Sequence, residues 1–175
     1  FITGTRKDEE LVRAADGLAT EGYVCFLIDY RLDGDEPPVV TSWNPDVDDA
    51  KDLDIPSLPA VRASFVDAKT AMRHIRANSD AYGIDPNRIA IWGESAGAFA
   101  ALAAGLTDPG EFASDGEGFP VPPENNPGVN PKPAVIVDCW GSSVFTNDAY
   151  DANDPPIMIF HGLSDTVVPF IFAAD

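Results

Sequence analysis

Residues 88–105 read RIAIWGESAGAFAALAAG. The apolar run Ile89, Ala90, Ile91, Trp92 ends at Gly93, and an alanine-rich stretch suited to a helix begins just beyond Ser95. The segment predicts a strand, a very tight turn with serine at its apex, and a helix. Glycines at 93 and 97 fit such a turn, because a Cβ at either flank is expected to collide with the neighbouring strand or helix. The turn would lift the Ser95 hydroxyl clear of the sheet beside a helix N-terminus. That is the G-x-S-x-G nucleophile elbow, with the strand-before, helix-after context that the motif requires.

Upstream, Val61, Phe65, Ala68, Met72 and Ile75 step by 4, 3, 4 and 3, an amphipathic helix that stops near Asn78. Gly83 to Asn87 turns the chain into the elbow strand. Earlier still, Thr5 and Asp8 have capping-box spacing, and Leu11, Ala15 and Leu18 share one face of a helix ending at Gly22. The apolar run Tyr23 to Ile28 predicts a parallel strand covered on both faces. Residues 33–56 are acidic and carry Pro37, Pro38, Pro45 and Pro56, which predicts a loop.

Downstream, residues 108–133 hold seven prolines and four glycines, a long loop for a compact domain. Ala134 to Asp138 and Ile157 to Phe160 read as further strands. The alternation predicts an α/β fold, a mostly parallel, doubly wound sheet with helices on both faces. Ligands of such sheets bind beyond the carboxyl ends of the strands, and Ser95 and Asp165 both lie just past strand ends.

A chain of 175 residues accommodates one domain with a real core, so residues 1–175 are read as a single domain. The net charge of −18 argues against a nucleic-acid partner, since phosphate would be repelled. The acids cluster: residues 33–54 hold eight against Lys51 alone, and residues 108–175 hold eleven against Lys132 alone. The pattern reads as a solvated surface, with adaptation to high salt as the minor alternative. Asp46-Val47-Asp48-Asp49 offers calcium-type ligands, yet it lacks the glycine turn and closing glutamate of such a loop. No metal or cofactor is expected. No apolar run approaches the length of a membrane span, and localisation and oligomeric state stay open. Cys25 and Cys139 sit in or at the end of strand-like runs, where buried free thiols are the default.

A serine hydroxyl needs a base, normally a histidine oriented by a carboxylate. His74 lies mid-helix with nothing to place it in a crevice. His161 directly follows a strand and precedes Gly162, where a histidine suits backbone support of a turn better than catalysis. Asp165, on a turn downstream of the serine, is the candidate acid. A histidine after Asp165 is then required, and the sequence reaches Asp175 without one.

Four segments together carry a resemblance. Gly93 to Gly97, Ile28 to Leu32, Tyr82 to Ile89 and His161 to Pro169 resemble, in this order, the α/β-hydrolase fold, and more narrowly its carboxylesterase/lipase branch with a His-Gly-Gly oxyanion motif. The resemblance implies a small-molecule ester as substrate, Ser95 as nucleophile, Asp165 as triad acid, and the Ala96 N–H as one oxyanion donor. Gly93, Glu94 and Gly97 would complete the elbow, with Glu94 ion-paired beneath it. His161-Gly162 would be the structural dipeptide before the acid. Trp43, Phe99, Trp140 and Phe170 are candidate pocket residues, though core or loop packing explains each of them better.

The resemblance also implies an internal fragment, incomplete at both ends. The glycine loop would precede Phe1 and the catalytic histidine would follow Asp175. A strand expected between Tyr23–Asp29 and the elbow strand would be missing, so those two could not pair, and the fragment alone is expected to be inactive and poorly folded. A prolyl-oligopeptidase-type serine peptidase and a non-catalytic binding module of the same fold are the rival expectations.

Overall fold

The computed structural model describes residues 3–43, 45, 58–116, 121–146 and 151–174. Its elements, in chain order, are α1 (Glu9–Thr20), α2 (Leu58–Ala77), α3 (Ser79–Tyr82), β1 (Ala90–Glu94), α4 (Ala96–Leu106), β2 (Val135–Cys139), β3 (Ile157–Phe160) and α5 (Ile171–Ala174). The acidic run Asp46 to Asp49 lies outside the described residues. None of the described helices is long and apolar enough to cross a membrane.

The strands form a parallel sheet in the order β1-β2-β3, with Ala90 opposite Val135 and Ile136 opposite Ile157. Parallel neighbours need a crossover, and α4 supplies the one from β1 to β2. Its alanines let it approach closely, and every residue from Ala98 to Leu106 is buried. At Gly105 a Cβ would run into the Ile136 side chain of β2. The apolar face of α2 is buried as its spacing predicts: Val61, Phe65, Ala68, Met72 and Ile75 are all inside. Phe65 sits in one cluster with Phe99, Phe112, Phe145 and Ala100. Truncating such a ring to alanine costs about 3–5 kcal/mol.

A second face of α2 holds the long loop after α4. Lys69 Nζ donates to Asp108 O (2.7 Å) and Glu111 O (2.8 Å), Arg73 to Pro109 O (3.0 Å), and Arg62 to Ser114 O (3.1 Å). Arg76 donates to the carbonyls of Pro86, Asn130 and Lys132. A proline-rich segment has carbonyls to satisfy but few N–H groups of its own, and cations from a neighbouring helix fill that need. Lys69 is fully buried, and burial brings its ammonium down to about 7.

Two expectations are corrected. Residues 23–30 form no strand: they run as extended chain without ladder bonds. Strand identity rests on a partner at about 4.8 Å, and the apolar character of Tyr23 to Ile28 supplies none by itself. As expected with the strand between them missing, these residues do not pair with β1: the two face each other across a gap of about 630 Å³, which Phe26, Ile28, Ile91 and Trp92 all line. The cap of α1 is Asp8, whose carboxylate accepts from Glu10 N at 2.9 Å, whereas Thr5 accepts from Lys7 N before the helix. Leu11, Ala15 and Leu18 do share an inward face of α1, half-buried rather than buried. Both cysteines are free; Cys139 is buried and Cys25 only half-buried.

Candidate functional site

Ser95 is the single residue between β1 and α4. Its φ of 48° and ψ of −120° lie where a side chain is rarely found. The turn is held on both sides: Ser95 N–H donates to Cys139 O (2.9 Å), and Ser95 O accepts from Ala98 N (2.9 Å) and Phe99 N (3.3 Å). A Cβ at Gly93 would fall well inside contact distance of Gly97 O, so the glycine is required there. Gly97 differs from expectation. A Cβ at that position meets open space among the described residues.

Ala96 opens α4, so its N–H has no acceptor within the helix and points out at the positive end of the helix dipole. Ser95 is half-buried, and among the described residues its hydroxyl has no hydrogen-bond partner. It lines the 630 Å³ cavity together with Leu11, Phe99, Trp140, Val167 and Val168. Of the four aromatic candidates, Phe99 and Trp140 reach this cavity. Trp43 packs against Phe65, Phe112 and Phe145, and Phe170 stands edge-on to His161.

Asp165 lies on the turn after β3. Its Oδ1 accepts from Val167 N (2.8 Å) and Val168 N (3.0 Å), and these two amides hold its carboxyl below the usual carboxylate range. His161 supports the same turn. Its side chain is fully buried, and Nε2 donates to Val168 O (2.7 Å) while standing 3.8 Å from Asp165 Oδ2. His74 is exposed on α2 and bonded to Tyr82 Oη (3.0 Å). Neither histidine is hydrogen-bonded to Ser95.

Glu94 corrects another expectation. Among the described residues it has no ion pair; burial and the nearby carboxylates of Glu10 and Asp8 push its carboxyl up. Asp138 on β2, 2% exposed, went unnoticed in the sequence. Burial raises it, although its Oδ1 accepts from Gly141 N at 2.8 Å. The described residues contain no cluster of His, Cys, Asp and Glu able to hold a metal ion.

The strands place Ser95 and Asp165 at the same end of the sheet, separated by β2, so roughly 10 Å lies between their strand axes. Val167 and Val168 bring the Asp165 turn to the edge of the Ser95 cavity.

The BD-FAE family model matches residues 58–147. Esterase LipC of Mycobacterium tuberculosis is 30% identical over 179 residues, covering 87% of this chain and 39% of that protein. The quorum-quenching protein AidA of Acinetobacter baumannii is 33% identical over 107 residues, covering 61% of this chain and 29% of that protein. The chain thus spans well under half the length of these curated relatives. Among solved structures, Thermogutta terrifontis esterase 2 phosphoramylated by tabun superposes with a TM-score of 0.72 over 99% of this chain and 60% of that one, at 21% identity. That likeness is one of fold.

Proposed function

Because the chain belongs to the BD-FAE family, we propose that it carries the nucleophile half of a serine-dependent carboxylic ester hydrolase acting on small-molecule esters. The observation that carries this reading is Ser95 held at positive φ on the apex between β1 and α4. Such strain is kept where a hydroxyl must be presented, and the segment Gly93 to Gly97 then serves as a nucleophile elbow. Residues 1–175 are read as part of one domain of that fold.

In the proposed reaction Ser95 Oγ attacks the acyl carbonyl as a histidine takes its proton. The Ala96 N–H donates to the oxyanion, worth about 3 kcal/mol for one such donor. The tetrahedral intermediate collapses, the histidine passes its proton to the leaving alcohol, and an acyl-Ser95 ester remains. Water, deprotonated by the same histidine, then releases the acid. Asp165 orients that histidine, its second oxygen being free of the backbone bonds that hold the first. His161 and His74 are both engaged elsewhere, so the base comes from outside these residues. The separation of Ser95 and Asp165 across β2 leaves room for an imidazole.

The test uses the full-length protein, an alkyl fluorophosphonate and short-chain p-nitrophenyl esters. Labelling at Ser95 with ester turnover, both lost in Ser95→Ala, is the expected result. Labelling without ester turnover points instead to a peptidase, and no labelling to a binding module.

A further inference from the structure

Trp140, the residue after β2, has φ 47°. For a bulky side chain that region is a genuine outlier. The surroundings enforce it. Trp140 N–H donates to Phe160 O on β3 (2.8 Å), and the preceding carbonyl, of Cys139, accepts from Ser95 N–H. The following residue, Gly141, donates to Asp138 Oδ1 and lies so close to α4 that a Cβ would collide with Ala98. The chain is therefore pinned before, at and after the tryptophan. Strain fixed this firmly points to use of the side chain it positions.

The position is informative. β2 is the central strand, so its end stands between Ser95 after β1 and the His161–Asp165 turn after β3. Trp140 lines the cavity that Ser95 lines, and 39% of it is uncovered by protein. The part of that cavity between residues 23–30 and β1 is the place of the missing strand, so only its lining beyond the strand ends, Ser95, Trp140, Val167 and Val168, bears on a substrate.

Resting on the reading of Ser95 as nucleophile, we infer that Trp140 is a specificity-determining residue whose indole forms the wall for an apolar acyl chain. The acyl group is the part that stays bonded to Ser95 through the reaction, and Trp140 is tied to Ser95 through the Cys139 carbonyl. A flat indole packs along an extended alkyl or aromatic acyl group, whereas a charged one would lose hydration there without a partner.

The experiment measures kcat/KM of the full-length protein for p-nitrophenyl hexanoate and p-nitrophenyl acetate, which differ only in the acyl chain. Trp140→Ala and Trp140→Gly are each compared with the parent. Trp140→Gly accepts the positive φ without strain, so it secures a folded variant, checked by thermal unfolding. The hexanoate-to-acetate ratio is expected to fall about tenfold in both variants. A merely structural role would lower both substrates together and leave the ratio in place. An unchanged ratio in a folded variant whose parent is labelled by fluorophosphonate overturns the role of Trp140 alone. A parent that takes no label at Ser95 overturns the esterase reading, and this inference falls with it.

Discussion

The amide of Ser95 donates to the carbonyl of Cys139 at 2.9 Å, carrying the β1–β2 pairing one residue beyond the end of β1. The turn apex is thereby fastened to the neighbouring strand. It is this bond, with the two that Ser95 O accepts from α4, that offsets the unfavourable backbone of the serine.

Relief of that strain is measurable. Ser95→Gly is expected to raise the unfolding free energy by about 1 kcal/mol while abolishing fluorophosphonate labelling. Urea denaturation alongside the labelling assay checks it; a destabilised Ser95→Gly would show that the serine side chain itself supports the turn.

The two elbow glycines should behave differently. Gly93→Ala pushes a Cβ onto Gly97 O and is expected to cost about 3 kcal/mol or to prevent folding. Gly97→Ala meets open space at the start of α4 and is expected to be neutral or stabilising by up to about 1 kcal/mol. Denaturant midpoints of the two variants, side by side, decide the matter.

Lys69 makes stability depend on pH. Its folded value of about 7 lies below the ordinary 10.5, so between these the unfolded chain binds more protons than the folded one. Stability from this group therefore rises as pH goes from about 7 toward 10. In Lys69→Met that part of the rise disappears, which denaturant titrations at pH 7, 8.5 and 10 would reveal. Equal slopes in the two proteins would contradict the buried-ammonium picture.

His161 tests the turn that carries Asp165. His161→Ala removes a buried ring and leaves Val168 O without its donor, an expected loss of about 2–3 kcal/mol. Residues 162–167 should become more sensitive to proteolysis than the rest of the chain. Unchanged cleavage there would mean that the Asp165 carboxylate holds the turn unaided.

Much of this was legible in the residues. The 4-3-4-3 apolar spacing identified the buried face of α2, and the Gly-x-Ser-x-Gly context placed Ser95 between strand and helix. What escaped notice lay in relations between distant segments. Tyr23 to Ile28 has strand composition, and the resemblance already implied that it could not pair with the elbow strand; that the unpaired run then forms no strand at all is what composition does not contain. The cations Arg62, Lys69, Arg73 and Arg76 look like a solvated helix face until the carbonyls of a proline-rich loop are set against them. Glu94 was expected to find a cation and instead shares its surroundings with Glu10 and Asp8. Trp140 was a candidate pocket residue, but its positive φ, like the burial of Asp138, carries no sequence signal, because both follow from how β2 ends against α4 and β3.

Among the described residues β1 and β3 are each bonded on one side only, and β3 exposes Met158, Ile159 and Phe160. The solved esterase that superposes over 99% of this chain is matched over only 60% of its own length, so that fold has further chain with which to cover both edges. A bare edge is tolerable before it is covered only if copies keep apart. The formal charge of −18 supplies that, a colloidal barrier whose reach salt shortens from about 30 Å at 0.01 M to about 3 Å at 1 M. The acidic surface thus acts as a safeguard for a half-assembled sheet.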